Sequence, residues 1–124
     1  MNTFFLFAAA LAGALTALAH IFIGGKKNAA PVLQSPDLSA GPKTTVEFAW
    51  HAASVFLIAV TAIYFFAAIV ESGRSLVLVT TIHCAVLVAL SAVVAIRGGL
   101  SAMTFPPTIL FAVISAFGAL ALWA

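Results

Sequence analysis

Four long apolar stretches, Thr3–Ile23, Val46–Val70, Leu76–Ile96 and Phe105–Trp123, take up most of this 124-residue chain. An α-helix rises about 1.5 Å per residue, so each stretch is long enough to cross a hydrocarbon core about 30 Å thick. Too little remains between them to fold in water. Hydrophobic residues make up 65% of the chain and charged residues 6%, whereas a soluble domain carries charge on about a quarter of its residues. A water-soluble fold is thereby excluded. The predicted class is all-α: an integral membrane four-helix bundle, antiparallel and up-down, with residues 1–124 forming a single domain in contact with the lipid bilayer.

Five basic and three acidic side chains give a net charge of +2. They are scattered along the sequence, so they form no nucleic-acid footprint, which needs a clustered basic face. The single cysteine, Cys84, falls inside the third stretch and has no partner for an internal disulfide. Ala17-Leu18-Ala19 resembles a signal-peptide cleavage site, but Met1-Asn2-Thr3-Phe4 lacks the positive charge such peptides carry. The first stretch therefore reads as a true spanning helix.

The charges also predict a topology. Lys26, Lys27 and Lys43 lie in residues 24–45, and Arg97 ends the third stretch; the opposite side holds only Arg74, offset by Glu71. By the positive-inside rule, loops 24–45 and 98–104 face the cytoplasm and both termini face outside, in a membrane expected to be the bacterial inner membrane. Glu71-Ser72-Gly73-Arg74-Ser75 reads as a tight turn, Arg97-Gly98-Gly99 as a helix stop, and Pro106-Pro107 as the first turn of the last helix. Pro31, Pro36 and Pro42 mark residues 24–45 as the one real loop, with a short turn around Pro36-Asp37-Leu38.

In lipid, helices associate through small residues and buried hydrogen bonds rather than hydrophobicity. The first stretch offers Ala9, Gly13 and Ala17 at four-residue spacing, continuing to His20 and Gly24. The second carries Glu47, His51, Ser54 and Thr61; the third Thr80, His83 and Leu87, with Cys84 and Ser91 on the flank; the fourth Thr108, Ser115 and Gly118. Each of these stripes is expected to face inward, with the hydroxyls bonded to neighbouring backbone or helices. Tyr64 and Trp123 on one side and Trp50 on the other are expected to anchor at the interfaces.

The histidines hold most of the chemical potential. Counted at about 1.5 Å per residue, His20 and His51 each lie roughly 10 Å to the cytoplasmic side of their span centres, whereas His83 is close to mid-depth. A candidate cofactor site is thus His20 and His51, with Glu47, Trp50 and Arg97 as a surrounding polar cluster. Glu47, one turn before His51, is placed to orient its ring. Such a pair suits haem b or a metal ion, although zinc or copper prefers three or four convergent ligands. His83 and Cys84 form a midplane polar pair, pointing about 100° apart on a helix and so unsuited to a nucleophile–base couple. The simplest expectation for His83 is a hydrogen bond to Thr61 or Ser115.

No HExxH, GxSxG or nucleotide-loop motif is present, and no carboxylate sits mid-span. No cofactor and no catalysis of its own are the leading expectation. The leading role is an accessory or structural subunit, associating with other membrane proteins or with itself. The alternatives are a haem-, metal- or ligand-binding protein using His20 and His51, and a small transporter using the same polar mouth.

Overall fold

A backbone in lipid has no water to bond, so each span must satisfy its own N–H and C=O groups as a helix. The computed structural model describes every residue from Met1 to Ala124 and contains only helices and their connections. Helix α1 (Thr3–Leu18) runs without a break into a π-helical segment (Ala19–Ala29) and then into α2 (Ala30–Gln34). Helices α3 (Ala40–Val70), α4 (Arg74–Arg97) and α5 (Pro106–Trp123) follow. Four continuous helices, Thr3–Gln34, Ala40–Val70, Arg74–Arg97 and Pro106–Trp123, are long and apolar enough to cross a membrane. Helix α1 packs against α3 and α5, α4 packs against α5, and α3 and α4 meet more lightly. The result is an up-down-up-down bundle in which sequence neighbours are antiparallel.

Local sequence explains the ends. Asn2 caps α1 by accepting the Phe4 N–H at 3.1 Å, and its own N–H donates to Ala121 O at 2.8 Å, tying the start of α1 to the end of α5. Glu71 and Gly73 both take left-handed conformations, with φ of 52° and 83°, to reverse the chain between α3 and α4. Helix α4 stops at Gly98–Gly99: Gly99 N–H donates to Ile96 O at 3.0 Å and Leu100 N–H to Ala95 O at 2.8 Å, the paired bonds of a Schellman cap. Pro106 and Pro107 open α5, where first-turn N–H groups have no intrahelical acceptor to lose.

The first connection differs from the sequence expectation. Residues 24–45 are not a loop, because only Ser35–Ser39 leave the helical path. The Pro36–Asp37 turn is present, with Asp37 N–H donating to Ser35 Oγ at 3.3 Å. Gly24 and Gly25 do not break the helix. They lie in the π-helical segment, where Ala30 N–H donates to Gly25 O and the Trp50 ring covers Gly24. Pro42 falls in the first turn of α3, where it is tolerated, and Pro31 sits just past the junction of the π-helical segment with α2. Helices of 32 and 31 residues run roughly 45 Å at about 1.5 Å per residue, past a core about 30 Å thick. The surplus projects at the end that carries Lys26, Lys27 and Lys43.

The interior is small. Leu6, Val60, Tyr64, Val77, Cys84 and Ile114 are its largest fully enclosed side chains. The predicted small-residue stripe on α1 is buried, and Gly13 lies directly against Thr61 of α3. Outside, every helix presents Phe, Leu, Ile or Val. A belt this broad would drive aggregation in water and is the expected surface of a protein solvated by lipid tails. The chain is an integral membrane bundle.

Candidate functional site

At the end bearing the lysines, the π-helical segment that continues α1 and helix α3 bring His20 and Trp50 together. Their rings stack with centroids 4.0 Å apart and planes within 15°. His20 Nε2 lies 3.2 Å from Trp50 O. A carbonyl oxygen only accepts, so Nε2 carries the proton and the lone pair of a neutral ring is left on Nδ1. The Ser54 hydroxyl donates to the same carbonyl at 3.1 Å. Close approach of the two helices here depends on Gly24, since a Cβ would meet the Trp50 ring edge at 3.0 Å.

The rest of the expected cluster does not converge on this stack. His51 follows Trp50 in α3 and so points about 100° away; it is exposed, and so are Glu47 and Arg97. No hydrogen bond joins Glu47 to His51, and no group of three or more His, Cys, Asp or Glu side chains gathers anywhere in the bundle. For a bis-histidine haem, His20 would have to release Trp50 O and leave the indole face, and His51 would have to turn inward. A metal ion meeting His20 as it stands would find Nδ1, with no second ligand beside it.

At mid-depth the α4 side chains separate. Cys84 is fully buried and His83 is exposed. The polar seam expected through Thr80, His83 and Leu87 is therefore not the inward face of α4. That face is Val77, Thr80, Thr81 and Cys84. The expected bond from His83 to Thr61 or Ser115 is absent as well: Thr61 donates to Leu57 O at 2.9 Å and Ser115 to Ala112 O at 3.1 Å, each within its own helix. The only aromatic neighbour of His83 is Phe56, with centroids 5.3 Å apart and a 41° tilt.

A third polar place was not anticipated. Tyr64, expected as an interfacial anchor, is completely buried, and its hydroxyl lies 2.9 Å from Thr81 Oγ1. Thr81 in turn donates to Val77 O at 2.7 Å, which makes Tyr64 the donor to Thr81. Gly118 of α5 closes this site, packed so tightly that a Cβ would collide with both hydroxyls. Position alone hinted at this. Tyr64 lies six residues inside the end of α3, about 9 Å deep at the helical rise, below the headgroup level that suits an anchor. Ser91 and Thr108 form a second side-chain to side-chain bond between helices, at 3.0 Å between α4 and α5. Within the spans, the Thr16, Thr80 and Ser115 hydroxyls donate to carbonyls of their own helices, as expected.

Compared with known protein families, curated proteins and solved structures, the chain matches none of them.

Proposed function

We propose that this protein is a non-catalytic subunit of a membrane assembly, working by packing its outer face against other transmembrane helices. One observation carries the reading: His83, near mid-depth of α4, points out of the bundle and has no hydrogen-bond partner in its own chain. An imidazole facing hydrocarbon is costly and is characteristically turned toward a protein partner. Its polar counterparts, Tyr64, Thr81, Ser91 and Thr108, are all satisfied inside the bundle.

Orientation belongs to the same proposal. Lys26, Lys27, Lys43 and Arg97 lie at one end of the bundle and Arg74 at the other, which favours a cytoplasmic location for Ser35–Ser39 and the α4–α5 connection, with both termini outside.

Native mass spectrometry of the chain released from its own membranes tests the role. A species heavier than the 12.7 kDa chain is expected. A population consisting only of lone chains would rule the role out. The same preparation addresses the cofactor alternative: a Soret band, or a metal in stoichiometric amount, would transfer the functional claim to His20.

A further inference from the structure

We infer that the helix that covers His83 is α4 of a second copy of this chain. This rests on the assembly role proposed above and names its partner.

Leu76, Val79, His83, Val86, Leu90 and Val93 recur on α4 at alternating spacings of three and four, the pattern of a coiled-coil seam. All six are exposed, the five apolar ones by more than half their surface. They lie on the side of α4 away from Val77, Thr81 and Cys84, which face the chain's own interior. A seam of this period lets two helices cross at about 20° and stay in contact across the membrane.

The choice of occupant comes from His83. Copies inserted in the same orientation are related by a twofold axis along the membrane normal, so two α4 helices pack in parallel and equal positions meet at equal depth. A neutral imidazole has one N–H donor and one bare nitrogen acceptor. Two such rings facing each other across the axis are therefore complementary, one donating and the other accepting. Every other residue of the seam is apolar, so a foreign helix would have to supply a polar group at this one depth. A second copy supplies it by symmetry. Phe56, packed beside the ring, limits its freedom to turn away. A single polar residue in an apolar seam fixes register, because any slip leaves both imidazoles in hydrocarbon.

Disulfide scanning of the full-length chain in its native membranes tests this. In a Cys84→Ala background, single cysteines at Val79, Val86, Leu90 and Val93 are expected to cross-link on oxidation into dimers of twice the chain mass. Leu78→Cys and Ala85→Cys, on the flank that lines the groove toward α5, are expected to remain monomeric. Adding His83→Leu to Leu90→Cys should reduce dimer yield about fivefold, and His83→Asn, which keeps a donor and an acceptor, should restore most of it. No cross-linking along the seam, or equal cross-linking at Leu78 and Ala85, would overturn the inference. If the seam stays unlinked while native mass spectrometry finds the chain bound to a different protein, the second-copy inference fails and the assembly role survives. If the chain is also alone, both fail.

Discussion

Gly118→Ala is expected to destabilise the bundle by about 2–4 kcal/mol, combining overpacking with a disturbed buried hydrogen bond. In an exposed helix the same change is stabilising, because alanine is the better helix former. Here the added methyl would occupy space already held by the hydroxyls of Tyr64 and Thr81. Those two are bonded to each other at 2.9 Å, and Thr81 is also bonded to its own helix at 2.7 Å. Neither can yield without leaving a polar atom unpaired in an apolar interior. Helix α5 must then move away from both α3 and α4. Unfolding in mixed micelles of rising denaturing-detergent content, followed by circular dichroism, measures the effect. Adding Tyr64→Phe and Thr81→Ala should recover only part of the loss, since the Tyr64 ring carbon would still lie 3.1 Å from the new methyl. An unchanged midpoint for Gly118→Ala would show that α5 does not seat on this pair.

The second large effect is expected at the crossing of α1 and α3, where Gly13→Ala should lower stability by about 1–3 kcal/mol. The new Cβ would approach Thr61 Oγ1 to 2.7 Å, while Thr61 Cα stands at 3.4 Å and its Cβ at 3.6 Å. The obstacle is thus one hydroxyl, with backbone at ordinary contact distance behind it. Thr61→Ala removes that hydroxyl, and the double variant Gly13→Ala, Thr61→Ala should recover most of the loss. The coupling between the two sites is the readout, because residues in direct contact depart from additivity. Additive effects in this cycle would mean that Gly13 and Thr61 do not touch. The contrast with Gly118 is itself informative: there the space is shared by two bonded side chains and the rescue is partial.

Much of this architecture was legible in the sequence. Four spans were visible because lipid solvation requires long apolar runs, and the Ala9–Gly13–Ala17 stripe because close packing requires small residues. The stop at Gly98–Gly99 and the start at Pro106–Pro107 were visible from local cap chemistry. The continuation of the first helix to Gln34 was not. Gly24, Gly25 and Pro31 are breakers when read locally, and what sustains helix there is a tertiary contact, the Trp50 ring lying over Gly24. The inward face of α4 was hidden for a different reason. In water a polar face points outward, but a membrane helix is apolar on nearly all sides, so hydrophobic pattern does not mark the core. The polar spacing Thr80–His83–Leu87 therefore suggested a seam of which packing keeps only Thr80, with Val77, Thr81 and Cys84 completing the inward face. Of the candidate site, shared depth placed Trp50 in the cluster around His20, but the expected partner was His51, and the stack of His20 on the Trp50 ring was not foreseen. His51 and Glu47 share that depth but not that face, and depth alone does not distinguish the two.

Topology is the foundation of all this, and sided aqueous labelling of single cysteines in a Cys84→Ala background tests it most directly. Asp37→Cys and Ser101→Cys are expected to react from one side of sealed vesicles, and Asn2→Cys and Ser72→Cys from the other. Labelling of Asp37→Cys and Ser72→Cys from the same side would contradict a chain that crosses the bilayer four times.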